Sequence, residues 1–253
     1  MIGAQVLSLV RRRVLMWAVA LLPVVLVIVI FVVRLLLHSS SPGEYEQAGG
    51  VAGFDAAMSG VDGLGSLLAV VLGATAGSSD AASGVIRDLV STGRSRVRLV
   101  LERLPAPLLV AMASSLIGGL AALVGSALVS GADPLGSGSH LARVIAASLG
   151  ATGVMAIVAC GVASVLGSRG IAIGVILGWL FLCETALLFA LRALSKGAEG
   201  VLLGPAITAV QEALAGSERS QSDIALGVAG IAIAAWIALA VGLGVARTVR
   251  KEW

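Results

Sequence analysis

The sequence predicts an all-α integral membrane protein with six transmembrane helices, and three observations carry that expectation. The 253 residues are 58% hydrophobic and only 12% charged, with a mean hydropathy of +1.05. A soluble domain carries roughly 25% charged residues, so much of the usual charge is missing. The apolar residues fall in continuous runs of about 20, the length that crosses a bilayer as a helix, rather than in the alternation of a β-barrel strand. Finally, 33 glycines, with abundant Ala and Ser, suit helices that approach closely in lipid.

Read in order, the runs place spans at 14–36, 55–77, 105–129, 141–166, 170–192 and 224–246, in one transmembrane domain covering 1–253. The first run, Val14–Val33, is 20 residues long. A secretory signal core has roughly 7–15. The RLLLHSSSPG that follows offers no A-x-A cleavage pattern, so a retained span is expected. The second run is the least apolar, since MSGVDGLGSLLAVVLGATAG holds an acid and five glycines. With the N-terminus placed in the cytoplasm, Lys and Arg divide twelve on the cytoplasmic side against five outside. The positive-inside rule therefore puts both termini in the cytoplasm.

Composition also excludes several functions. The net charge of +3 comes from basic residues distributed by topology, which gives no reason to expect nucleic-acid binding. Cys160 and Cys183 lie in apolar runs and are expected to pack, not to form a disulfide framework. His38 and His140 both fall on the external side without a Cys or carboxylate cluster, a poor metal site. No Ser–His–acid or paired-carboxylate spacing suggests an intramembrane enzyme. Fifteen of the seventeen basic residues are Arg, which we read as the codon bias of a GC-rich bacterial genome.

Two external loops are more than short connections. Residues 37–54 read as irregular, whereas GPAITAVQEALAGS spells a helix between spans five and six. Pro205 suits its first turn, Gly216 its C-terminal stop, and Ile207, Val210 and Leu214 fall on one face. It is expected either to lie on the lipid surface or to act as a lid over an exit path. In span five, Gly170, Gly174 and Gly178 recur every fourth residue, a small-xxx-small pattern that permits close helix crossing.

The charge that the spans lack is gathered in SSDAASGVIRDLVSTGRSRVRLVLERLPAP, residues 78–107, which holds five arginines and three carboxylates. Gly84–Ser91 and Ser95–Leu104 read as helical, with Thr92-Gly93 bending the chain between them. Val97, Val100, Leu101 and Leu104 recur at i, i+3, i+4 and i+7, giving the second piece an apolar stripe. Arginines that only set orientation or bind lipid headgroups, at about 1 kcal/mol each, would not need the interleaved Asp80, Asp88 and Glu102 or the bend. A cytoplasmic surface that docks a protein accounts for both.

The pattern resembles the permease subunits of ABC transporters of the type-2 exporter family. The matching residues are Asp80, Gly84, Arg87–Leu89, Ser91–Arg96 and Val100–Arg103. The N-terminal IGAQVLSLVRRR resembles the family's amphipathic helix along the inner membrane surface. The six spans, the internal termini and the helix before span six also resemble that family. Two departures stand out: Asp80 lies four residues before Gly84, where the family has Glu about three before, and Arg103 stands where Lys is frequent. The resemblance implies a coupling segment docked on a separate ATPase through Asp80, Gly84, Arg87, Asp88, Gly93, Arg94 and Arg96. That ATPase would bind ATP and Mg, because Lys196 and Lys251 are not set in a phosphate-binding loop. The resemblance also implies a second permease, as homodimer or heterodimer, in a bacterial cytoplasmic membrane.

Two carboxylates fall inside spans, Asp62 in the second and Glu184 in the fifth. Each costs roughly 2.5–3.5 kcal/mol at mid-bilayer on insertion scales, which makes both candidates for a translocation path. Counted along their spans they lie about 10 Å and about 12 Å from the outer ends. The bland readings are an interfacial Asp62, if span two begins late, and a Glu184 that satisfies a polar group on a neighbouring helix. Two alternatives to an exporter subunit stay open: a non-transporting assembly or immunity factor, and a proton-coupled secondary transporter using Glu184.

Overall fold

The computed structural model describes residues 13–41, 48–83, 96–130, 135–194, 197–216 and 224–250. Regular structure among them is helical throughout: α1 (Arg13–Ser40), α2 (Gly50–Ser83), α3 (Arg96–Leu101), α4 (Pro105–Val129), α5 (Gly138–Leu166) and α6 (Arg169–Gly178). A π-helical turn (Trp179–Cys183) joins α6 to α7 (Glu184–Leu194). A 3-10 turn (Ala198–Val201), α8 (Leu203–Ala215) and α9 (Leu226–Arg250) follow. Six stretches are long and apolar enough to cross a membrane: one each in α1, α2, α4, α5 and α9, and Arg169–Ala193 running from α6 into α7. These are the six expected spans of an all-helical multi-pass protein.

The largest boundary difference is in α2, which starts at Gly50 rather than 55 and continues to Ser83 rather than 77. Hydropathy misses its first turns because they are rich in Gly and carry Asp55. Packing holds them instead: Phe54, Ala57, Met58 and Val61 are fully buried. Ser126 of α4 also donates to the Gly50 carbonyl at 2.5 Å. At 34 residues, α2 is about 51 Å long, well beyond a hydrocarbon core of about 30 Å.

The expected weakest span is thus the centre of the bundle. α2 crosses α5 through Gly73 and Gly77, whose missing side chains let the helix rest on the Ala156 and Cys160 carbonyls. A Cβ at Gly73 would also stand 2.7 Å from the Ala159 Cβ and 2.9 Å from the Cys160 nitrogen. The glycines expected to mark a crossing, Gly170, Gly174 and Gly178, meet nothing within 4 Å among the described residues. They face away from α2 and α5, while Ala172 and Ile176 point inward. Cys160 is buried at the crossing and Cys183 is exposed, and the two form no disulfide.

α1 shows how side chains complete a broken helix in an apolar setting. Pro23 lies inside it and has no N–H for the carbonyl of Val19, four residues earlier. Ser114 of α4 donates to that carbonyl at 2.9 Å, replacing the lost bond from a neighbouring helix.

The bundle has two distinct ends. The N-termini of α2 and α5 meet the C-terminus of α8 around His140, and we call this the His140 end. At the other end, α3 leads through Glu102–Leu104 into α4 and packs against α9, with Val100 and Arg103 buried.

Candidate functional site

Glu184 occupies its position because of the π-helical turn before it. Ala172 and Ile176 are the buried residues of α6, and Glu184 is buried again after a run of three exposed residues. Twelve residues of regular α-helix would rotate Glu184 about 120° from the face of Ala172. The extra residue accommodated by a π-turn takes back about 100° of that. The carboxylate therefore turns to the inside of the bundle, about 15 Å along α7 from Leu194.

There it caps another helix. Glu184 Oε1 accepts the Gly204 backbone N–H at 2.6 Å, and the Leu203 N–H also bonds to this carboxylate. Pro205 has no N–H and the Leu202 N–H bonds to the Glu199 carbonyl, so these are the two N–H groups that the start of α8 leaves without a backbone partner, and an anion there is further stabilised by the helix dipole. The adjoining turn is satisfied in the complementary way: Trp236 of α9 donates its indole N–H to the Val201 carbonyl at 3.0 Å. Trp236 also packs on Trp179 with ring centroids 5.7 Å apart, and Arg192 pairs with the buried Glu199 at 3.5 Å.

α8 is therefore not laid on the surface. Its N-terminus is held at the depth of Glu184 and Trp236, and its C-terminus meets the first turn of α5. Leu203, Ala206, Ile207 and Ala209 are buried against the bundle. Gly216 ends it in the left-handed conformation at φ 67°, as its position in the sequence suggested. The helix thus dips into the His140 half of the bundle and returns. Non-spanning backbone at membrane depth is tolerated where protein buries it, as here.

Asp62 sits where α2, α5 and α8 converge. It accepts hydrogen bonds from Ser148 of α5 and from Gln211 Nε2 of α8, the latter at 2.9 Å. Ser148 in turn shares a 2.7 Å hydroxyl contact with Ser115 of α4. Because α2 begins early, Asp62 lies about 18 Å along the helix from Gly50, not about 10 Å from its end. Span two thus does not begin late, which was the premise of the interfacial reading of Asp62. Among the described residues, no Lys, Arg or His nitrogen stands within 4 Å of its carboxylate.

Closer to the end of the bundle, His140 joins α5 to both neighbours. Its Nδ1 lies 3.0 Å from the Ala215 carbonyl and its Nε2 lies 3.1 Å from Asp55 Oδ1. The ring thus bridges α5 to α8 on one side and to α2 on the other, with the tautomer deciding which nitrogen donates.

Two cavities flank α8. One, of about 270 Å³, is polar and is lined by Asp55, Ser59, Asp62, His140, Gln211 and Glu212. The other, of about 280 Å³, is apolar and lies between α5, α8 and α9, with Gly150, Val154, Ile207, Leu214 and Ile233 in its wall. Ala147 and Gln211 belong to both. The apolar face expected for α8 thus lines this groove, while Ala206 and Ala209 make the buried contact.

The structure therefore brings the two span carboxylates to the same re-entrant helix, Glu184 at its N-terminus and Asp62 at Gln211, without placing them in one cavity. The sequence reading did not single out Ser115 or Ser148, ordinary residues in spans, or Gln211 of α8. A signal for Gln211 existed: Thr208, Gln211, Glu212 and Ala215 share one face of α8, opposite its buried alanines.

Of the expected docking residues, Asp80 lies in the last turn of α2 and Arg96 opens α3. Gly84, Arg87, Asp88, Gly93 and Arg94 lie outside the described residues, as does the first of the two expected helical pieces. The second piece is helical over Arg96–Leu101, with Val100 buried and Val97 and Leu101 exposed. Arg98 donates to Glu102 at 2.7 Å on this surface. No protein-family model matches the chain, and no curated protein matches it.

Proposed function

We propose that the chain is the membrane-spanning permease subunit of a bacterial ABC exporter of the type-2 family. In this reading the termini and residues 78–107 are cytoplasmic, the His140 end is external, and a separate ATPase binds ATP and Mg. The observation that carries it is the continuity of α2. One uninterrupted helix holds Asp62 beside the re-entrant α8 and Asp80 at the start of the charged segment. The two lie about 27 Å apart along one axis. Displacement of the docked end would therefore be felt at the polar cavity, which is what coupling between an ATPase and a transport path requires. A second permease, identical or similar, completes the path, and the cargo is an amphipathic or lipophilic solute.

The proton-coupled alternative is less well supported, because the Glu184 carboxylate is engaged by the backbone of α8. The test is affinity purification of the tagged chain from its native host in mild detergent, with ATP hydrolysis assayed in the eluate. A co-purifying ATPase that is lost when Arg87, Asp88, Arg94 and Arg96 are all changed to Ala supports the proposal. No ATPase with either chain overturns it.

A further inference from the structure

The two cavities beside α8 differ in chemistry and share a wall. The polar one presents Asp62, a carboxylate deep along a membrane-spanning helix with no cationic partner within 4 Å among the described residues. Its hydrogen bonds from Ser148 and Gln211 use only two of the four or so acceptor positions of a carboxylate. Glu212 lines the same cavity, and the other carboxylate there, Asp55, already faces His140. The apolar groove has Gln211 as its one polar lining side chain. Each cavity alone falls just short of the roughly 300 Å³ at which ligand pockets begin, and the two together reach that range.

We infer that these cavities form one binding site for an amphiphile with a single ammonium head and an alkyl tail. The head lies against Asp62 and the tail lies in the groove along Ile207, Leu214 and Ile233, passing Gln211. An anion in a low-dielectric setting is costly without a counter-charge, and the ligand supplies it. An anionic amphiphile of the same length would meet Asp62 and be refused. The inference rests on the exporter reading for its meaning as a cargo class, but the binding itself needs no ATPase.

The test uses the full chain in nanodiscs of zwitterionic lipid, titrated with radiolabelled dodecyltrimethylammonium, with dodecyl sulfate as the same-tail anion. Saturable binding is expected for the wild type, with an affinity about tenfold or more lower in Asp62→Asn. Gly150→Phe is the second variant. A Cβ there meets nothing within 4 Å, so the ring fills the groove without strain at its attachment, and binding should fall while Asp62 is intact. Equal binding by wild type and both variants, or equal competition by dodecyl sulfate, overturns the site. Saturable binding by a chain that recruits no ATPase supports the site and removes the exporter reading. ATP-driven export without saturable alkylammonium binding removes the site and leaves that reading standing.

Discussion

The Glu184 carboxylate and the Gly204 backbone N–H, 2.6 Å apart, join a membrane-spanning helix to the start of a helix twenty residues later. An acid in a span that invites a translocation role is here the cap of a re-entrant element. The bond fixes the depth of α8, and that depth decides which of its side chains reach α2 and α5.

Replacing Glu184 separates the two roles. Glu184→Ala is expected to lower stability by about 0.5–2 kcal/mol, the usual range for losing a helix N-cap. Glu184→Gln keeps an acceptor oxygen and should lose less. Thermal unfolding in nanodiscs measures this. A proton-carrying Glu184 would instead make Gln as damaging to transport as Ala.

Ser114 and Pro23 are coupled through one carbonyl. Ser114→Ala is expected to cost about 1 kcal/mol, within the range measured for hydrogen bonds in membrane bundles. Pro23→Ala restores an N–H four residues after Val19, so the serine is no longer needed for that carbonyl. A double-mutant cycle should therefore show Ser114→Ala nearly neutral in the Pro23→Ala background. An undiminished cost there contradicts the pairing.

The two glycine series should respond oppositely. Gly73→Ala forces a methyl against α5 and is expected to destabilise by about 1–3 kcal/mol, as overpacking does. Gly174→Ala adds a methyl to open space and should stay within about 0.5 kcal/mol. Unfolding of both variants in the same lipid checks the difference.

His140→Ala removes both tethers of the C-terminal end of α8, to the Ala215 carbonyl and to Asp55. Faster amide hydrogen exchange is expected in the last turn of α8. The amides of Leu203 and Gly204, held by Glu184, should keep their protection. Uniform acceleration along α8 would mean that His140 holds the whole helix.

The spans were legible because lipid demands long apolar runs, and the ends of α4 match the sequence reading residue for residue. Asp62 and Glu184 were legible because acids are costly there. Their partners were not, since a serine or glutamine in a helix carries no local mark of what crosses it. Gly73-x-x-x-Gly77 and Gly170-x-x-x-Gly174 have the same spacing, and only the fold decides which one packs. The π-turn that rotates Glu184 inward leaves no periodic trace. The depth of α8 depends on contacts to α7 and α9 distant in sequence, so the helix was visible while its insertion was not.

If α2 carries motion from the charged segment to the cavity beside α8, a probe in that cavity must report the state of the ATPase. Ser59 is exposed and lines that cavity. With Cys160 and Cys183 changed to Ser, Ser59→Cys gives a single reporter thiol. Its rate of maleimide labelling would be measured in the complex with the co-purified ATPase, without nucleotide and after vanadate trapping with ATP. A several-fold change in rate between the two states is expected. An identical rate in both, with the ATPase demonstrably trapped, would contradict it.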